Sequence, residues 1–294
     1  MQSFFKKLPR YSLRLLLAYL VYIFTGGVLA YLLPRQARNL PQTDSFYGIG
    51  RGPDRAVLVE EPQDAFARRM EVIRTAQSTL DVCYHCVKSG ETTECFFAEL
   101  LRAADRGVRV RVLLDGTVGG LSGARSNIAL ALRAHPNIEY RIYNPVDLLR
   151  PWEWNALLHD KFILADDRML LLGGRNIGDE YFAPPGYEGA VTYDRDVLVL
   201  NDLAGTPDSS ESVTAQAKIY MDTLWDAPET DKFGTLSPSR RADGLAAQEY
   251  LKETAARWEA AAPSFYLPSE PASQCAVPTQ RVTLLHNPVS PFKK

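Results

Sequence analysis

The residues best suited to carry chemistry lie together in one segment, residues 159–182, with the sequence HDKFILADDRMLLLGGRNIGDEYF. Its specified positions, in the pattern H-x-K-x4-D-x6-G-G-x-N, are His159, Lys161, Asp166, Gly173, Gly174 and Asn176. Six such positions at fixed spacing are expected by chance on the order of once in 10⁵ chains of this length, from average residue usage. The pattern therefore indicates a functional site, because a chance match is rare.

These side chains suit the handling of a phosphate group. Side chains alternate along a strand, so His159 and Lys161 are predicted to share one face. A neutral imidazole is a nucleophile, and an ammonium group is a compact positive charge that binds phosphate oxygens. Gly173 and Gly174 would let the backbone approach a ligand, and the Asn176 amide can donate to an anion. The set suits phosphoryl transfer without a metal; the alternative is a surface histidine and lysine beside a glycine turn.

The pattern resembles the HKD motif of the phospholipase D superfamily. The resemblance extends to TLDV, RGVRVRVLLDG, GGRNIGDEYF and YDRDV, which look like the first half of bacterial cardiolipin synthases, particularly the C-type branch, over roughly residues 56–230. It implies an α/β fold with a mixed sheet flanked by helices. It also implies phosphatidyl transfer or phosphodiester hydrolysis on phospholipids, through a phosphohistidine.

The same resemblance implies roles for individual residues. His159 is expected to be the nucleophile or general acid, and Lys161 and Asn176 are expected to hold phosphate oxygens, with Gly173 and Gly174 beside them. Asp194 falls where the family places a carboxylate that orients the histidine, fixing its tautomer and stabilising the imidazolium. Asp166 follows the strand at a turn, which favours a structural role.

The family builds one active site from two HKD motifs, whereas these 294 residues contain one. His85, His135 and His286 lack the lysine and Gly-Asn context; His85 is interpreted as packing or pocket lining. Three hypotheses stay open. The chain needs a second HKD-bearing chain, as half of a split enzyme or as a homodimer; it is a homodimeric single-motif nuclease-like phosphodiesterase; or it is a non-catalytic truncated membrane protein or scaffold.

Charge and cysteine content limit the kinds of partner, metal and cofactor that are expected. The 33 basic and 35 acidic side chains give no basic excess, so no nucleic-acid partner is expected. Cys83 and Cys86 lie in an apolar run without a second ligand pair at zinc spacing, so no metal or cofactor is expected. The expected partners are a phospholipid substrate, the membrane and a second HKD-bearing chain or copy.

An uncharged stretch of 19 residues, Leu15 to Leu33, predicts a single-pass transmembrane anchor of about 28 Å in a cell membrane. A signal peptide with its cleavage site at residues 28–30 is the alternative, and a buried core helix is a third. The basic residues before the segment outnumber those after it by four to three, which leans toward a catalytic domain outside the cell.

Composition and periodicity divide the chain into five parts. Beyond the anchor, strand-like and helical patterns alternate, which predicts a parallel or mixed sheet. The expected parts are a basic N-terminus (1–14), the transmembrane anchor (15–33), a linker (34–55), the phospholipase D-like domain (56–260) and a Pro-rich tail or linker toward an absent second half (261–294).

Overall fold

The computed structural model describes residues 2–32, 44 and 47–289. It begins with a long helix, α1 (Gln2–Leu32). Within it, Tyr11–Leu29 could cross a membrane by length and composition, as the apolar stretch predicted. Leu33 and most of the predicted linker lie outside the described residues.

Helices and strands alternate after α1 in nearly the predicted order. The further helices are α2 (Pro62–Thr75), α3 (Glu91–Asp105), α4 (Ser126–Ala134), α5 (Asp179–Phe182), α6 (Val213–Trp225), α7 (Pro238–Ala261) and α8 (Ala272–Cys275). The strands are β1 (Asp54–Val59), β2 (Thr79–Tyr84), β3 (Arg109–Asp115), β4 (Ile138–Tyr143), β5 (Lys161–Ala165), β6 (Met169–Gly173), β7 (Asp196–Asn201), β8 (Thr230–Lys232) and β9 (Val277–Pro278).

The strands of the described chain form one mixed sheet in the order β8-β4-β3-β2-β5-β6-β7-β1-β9. Strands β2, β3 and β4 are parallel because helices α3 and α4 carry the chain back between them. The remaining neighbours pair antiparallel, including the β5-β6 hairpin. The predicted fold class, a mixed sheet flanked by helices behind one N-terminal apolar helix, is confirmed.

Alternation along the strands produces two apolar layers. On β2, Leu80, Val82 and Tyr84 join the larger cluster beneath α2, α3, α4 and α7, whereas Cys83 joins the smaller cluster beneath α6. The central strands are therefore covered on both faces, which explains their nearly continuous apolar sequences.

The topology brings the chemical segment to one edge of the sheet. Because β5 runs antiparallel to β2, its first residue, Lys161, pairs with Tyr84 at the end of β2. At the same edge, Gly173 at the end of β6 pairs with Asp196 at the start of β7. Loops from four strands therefore meet at this edge.

Part of the Pro-rich tail packs against the domain. Phe265 and Tyr266 are buried, and the Phe265 ring stacks on Phe66 with 4.8 Å between ring centroids. Strand β9 then extends the sheet by pairing with β1. The aromatic pair supplies apolar area that holds this part of the tail despite its prolines.

Candidate active site

His159 and Lys161 lie together at the sheet edge, on one face as predicted. The Lys161 Nζ lies 3.2 Å from each ring nitrogen of His159 and donates to the His159 carbonyl oxygen at 2.6 Å. Lys161 is buried, whereas His159 is exposed to solvent. The Lys161 ammonium group is therefore held next to the solvent-accessible imidazole of His159.

His85 is a second imidazole in the same place. Its ring centroid is 4.5 Å from that of His159, and its Nδ1 donates to the carbonyl oxygen of Leu158 at 2.9 Å. The carbonyl can only accept, so the proton of neutral His85 sits on Nδ1. The interpretation of His85 as pocket lining agrees with this position, but no sequence pattern indicated its contact with His159.

The surroundings of His159 favour its neutral form. Burial, the Lys161 ammonium and His85 each lower the pKa of His159, while Asp160 and Asp115 act in the opposite direction, and the net pKa is below its ordinary value. Burial also lowers the pKa of Lys161, against the carboxylates of Asp160 and Asp194. Burial is thus the largest cause of both shifts, and like charges add to it only at His159.

Asn176 is held by hydrogen bonds on both sides of its amide. Its Oδ1 accepts the backbone N–H of Cys86 at 3.0 Å, and its Nδ2 donates to the Tyr181 hydroxyl at 3.1 Å. These contacts fix the orientation of the amide, and an amide nitrogen carries a second N–H bond. Tyr181 was not singled out from the sequence.

The two glycines make room for carboxylates of the same chain. A Cβ at Gly173 would come within 2.0 Å of Asp196 Oδ1, and a Cβ at Gly174 within 2.1 Å of Asp194 Oδ1. The sequence requires glycine here because any side chain would displace these carboxylates. The expected approach of Gly173 and Gly174 to a bound phosphate stays a prediction.

Asp194 and Asp196 differ sharply in environment. Asp194 is exposed, its Oδ1 accepts the N–H of Arg195 at 2.8 Å, and among the described residues no hydrogen bond joins it to His159. Asp196 is buried, and its Oδ2 accepts from Arg69 and Arg175, both at 2.9 Å. Asp196 is therefore a structural ion-pair centre, and the orienting role of Asp194 stays a prediction.

Asp166 lies at the opposite edge of the sheet, in the turn of the β5-β6 hairpin. Its carboxylate accepts the backbone N–H groups of Gln77, Ser78 and Thr79 at 2.6–2.8 Å. These bonds fix the chain entering β2, the structural role expected for the motif aspartate.

Asp115 at the end of β3 was missed as a site residue. Its buried carboxylate accepts the N–H of Thr117 and Val118 at 2.9 Å, and that of Leu158 at 2.9 Å. It therefore ties the loop after β3 to the residue before His159. An aspartate directly after a parallel strand and before glycine was the available signal, because parallel strand ends meet at one edge.

The cysteine thiols and the acidic side chains of the described residues add no metal-binding group to the candidate site. Cys83, Cys86, Cys95 and Cys275 are free, and burial raises the pKa of Cys83 well above its ordinary value. Among residues 2–32, 44 and 47–289, no three His, Cys, Asp or Glu side chains are grouped to hold a metal ion. The chemistry available at the edge is that of His159, Lys161 and Asn176.

Residues 70–199 match the family model described as "Cardiolipin synthase, PLD-like domain". This part of the chain is similar to the phospholipase D-like domain of cardiolipin synthases. The matched range runs from α2 to β7, so it includes every residue of the candidate site named above. The predicted resemblance to this superfamily is confirmed.

Individual cardiolipin synthases are similar to the same part of the chain. The chain is 39% identical to cardiolipin synthase C of Escherichia coli over 152 residues, which cover 48% of this chain and 31% of the relative. It is 29% identical over 164 residues to the cardiolipin synthase of Geobacillus thermodenitrificans, covering 53% and 32%. The aligned part is thus about a third of the length of these relatives. Among solved structures, NucT from Helicobacter pylori shares 15% identity with a TM-score of 0.47, covering 61% of this chain and 99% of NucT.

Proposed function

We propose that this phospholipase D-like domain transfers phosphatidyl groups to an alcohol or to water through a covalent phosphohistidine on His159. The observation that carries the proposal is the Lys161 ammonium, 3.2 Å from both ring nitrogens of an exposed His159. A cation so placed binds the oxygens of a phosphate that approaches the imidazole. The match to the cardiolipin synthase domain supports phospholipid as the substrate.

The first step is attack by a neutral nitrogen of His159 on the phosphorus of a phosphodiester. The N–P bond forms, the P–O bond to the leaving alcohol breaks, and a second, protonated imidazole gives its proton to the leaving oxygen. Lys161 and the second N–H of Asn176 hold the non-bridging oxygens and stabilise their charge in the transition state. The lowered pKa of His159 keeps the nucleophile unprotonated at neutral pH.

The second step restores the histidine. An acceptor alcohol or water gives its proton to the second imidazole and attacks phosphorus, and the N–P bond breaks. Attack and departure lie on opposite sides of phosphorus, whereas His85 packs directly on His159 with 4.5 Å between ring centroids. We therefore assign the acid to a second HKD motif on a partner chain.

Helix α1 is proposed as a single-pass anchor in the cell membrane, with the catalytic domain outside. Its apolar stretch Tyr11–Leu29 has the required length and composition. The four basic residues before Leu15, against three after Leu33, support an N-terminus in the cytoplasm. An anchored domain meets its phospholipid substrate in the bilayer.

The test uses the full chain in nanodiscs that contain phosphatidylglycerol, with products measured by mass spectrometry. His159→Ala is expected to lower product formation by several powers of ten, because it removes the nucleophile. The matched control is His135→Gln. His135 directly follows α4, at the edge of the sheet opposite to His159, and its ring pairs with Asp105. Product formation by a folded His159→Ala chain near that of the control would overturn the proposal.

A further inference from the structure

A loop between β4 and β5 presents aliphatic side chains to the outside. In this apolar loop, residues 144–157, the exposed fractions are 50% for Val146, 60% for Leu148 and 73% for Leu149. Single exposed leucines are common on protein surfaces, but three aliphatic side chains within four residues form a patch. Such patches mark a contact with a partner or a membrane.

The contacts between the apolar loop and α1 indicate what this patch faces. The Tyr19 hydroxyl donates to the Leu148 carbonyl oxygen at 2.9 Å, and the Tyr22 hydroxyl donates to the Leu149 carbonyl oxygen. A carbonyl left without a donor is costly in lipid, whereas these two are satisfied by hydroxyls from the apolar helix itself. The backbone of the loop is therefore equipped for surroundings that lack water.

Close packing supports the same pairing of loop and helix. A Cβ at Gly26 would come within 2.8 Å of the Pro151 ring, and the Trp152 ring meets Tyr22 edge-on with 6.4 Å between centroids. Tyr22 precedes the end of the apolar stretch at Leu29 by seven residues, which is about 10 Å along the helix axis. A loop held at Tyr22 thus lies in the half of the bilayer on the side of the catalytic domain when α1 spans a membrane, about 10 Å from the end of the apolar stretch.

The charged side chains of the loop are paired with one another. Arg150 lies 3.4 Å from a carboxylate oxygen of Asp147 and 3.6 Å from one of Glu153. The Trp154 indole donates to the Asp147 carbonyl oxygen at 2.6 Å. Tryptophan and tyrosine favour the interface of a bilayer, where one end of the ring is apolar and the other meets polar groups. Pairing within the loop lowers the cost of bringing these charges close to lipid.

We infer that the apolar loop inserts Val146, Leu148 and Leu149 into the lipid bilayer beside α1. The loop ends two residues before His159, and Asn144 braces it by donating to the carbonyl oxygens of Glu153 and Ala156 at 2.7 and 3.1 Å. The catalytic edge is thereby held at the headgroup layer. This consequence rests on the proposed function, and it names the substrate as phospholipid within a bilayer.

The insertion itself is tested without any activity. The full chain carries an environment-sensitive fluorescent amino acid in place of Leu149, in nanodiscs of phosphatidylethanolamine and phosphatidylglycerol, with spin-labelled lipids as quenchers. We expect strong quenching at position 149. The control position is Leu245, 48% exposed on α7, beside Gly244, which packs on α4. Equal quenching at the two positions, or protection of position 149 only in a complex of two chains, would overturn the insertion.

The consequence for the substrate is tested with Leu149→Asp and the matched Leu245→Asp. Leu149→Asp is expected to lower turnover of bilayer phospholipid about tenfold, because an aspartate does not enter the apolar layer. Turnover of a short-chain phospholipid dispersed as monomers is expected to stay unchanged. An equal loss on both substrates would contradict the role of the loop. Absence of turnover in the unsubstituted chain on both substrates would contradict the proposed function, while the quenching result would still decide the insertion.

Discussion

At the scale of single residues, the alternation of side chains along a strand was enough to predict that His159 and Lys161 share a face. The Lys161 Nζ indeed lies 3.2 Å from the imidazole nitrogens. The neighbouring His85 could not be found in this way, because it follows another strand, 74 residues earlier. Only the pairing of β2 with β5 brings the two rings together.

The His85–His159 contact predicts a pH effect. Burial, Lys161 and His85 hold the pKa of His159 below its ordinary value, and catalysis needs the neutral imidazole, so activity is expected to fall as the pH drops through that lowered pKa. His85→Phe keeps a partly buried aromatic ring but removes a basic nitrogen. It is therefore expected to raise the pKa of His159 and to move the acid limb of kcat/KM to higher pH.

The measurement is a pH profile of kcat/KM, together with an NMR titration of the His159 ring, which does not depend on turnover. His135→Gln serves as the control, with an acid limb expected at the position of the unsubstituted chain. A His85→Phe profile in which only the height changes, with the same acid limb, would make His85 a packing residue alone.

At the scale of elements, the β5-β6 hairpin and strand β7 were predictable from their apolar runs, but the partners of β7 were not. Two arginines, on α2 and after β6, meet Asp196 at the same sheet edge. They lie 127 and 21 residues away along the chain. The same holds for the tail, whose buried Tyr266 bonds to Cys95 and Glu91 on α3. Contacts of this kind depend on the folded sheet and carry no local pattern.

The two aspartates that begin β7 offer a matched pair of substitutions. Asp196→Asn removes the charge between the buried Arg69 and Arg175 and is expected to lower the free energy of unfolding by about 3–5 kcal/mol. Asp194→Asn changes an exposed carboxylate and is expected to leave stability nearly unchanged while lowering the rate, if that carboxylate stabilises the imidazolium.

Denaturant unfolding and turnover are measured on both variants. Stability losses of equal size would contradict the structural assignment of Asp196. Unchanged turnover in Asp194→Asn would remove Asp194 from the catalytic machinery and leave its contact with Gly174 as a packing feature.

At the scale of the whole molecule, the family resemblance predicted the mixed sheet. The edge at which the motif lies follows from the observed strand order, which determines which loops meet. The proposed site supplies its own positive charge and N–H donors, from Lys161 and Asn176. We therefore expect turnover to continue in the presence of a strong chelator. Loss of activity in chelator that a divalent ion restores would contradict a mechanism carried by these side chains.

The number of HKD motifs in these 294 residues predicts how the active site is assembled. One imidazole must attack phosphorus while a second, protonated one gives a proton to the leaving oxygen, and His159 cannot do both in one step. We therefore expect activity only when a second HKD-bearing chain is present. If the partner is another copy and both histidines are needed, mixing with His159→Ala chains, allowed to exchange subunits, should reduce activity as the square of the fraction of unsubstituted chains.

The mixing curve separates the remaining possibilities. His135→Gln chains, mixed in the same proportions, are the control and should leave activity unchanged. A linear decrease with His159→Ala chains would show that one His159 per site is enough, and the requirement for two would be wrong. Absence of activity at every concentration, followed by recovery on addition of a separate chain with a second H-x-K-x4-D segment, would identify the partner as the other half of a split enzyme. The two assemblies differ in which chain supplies the second imidazole, so the identity of the chain that restores turnover decides between them.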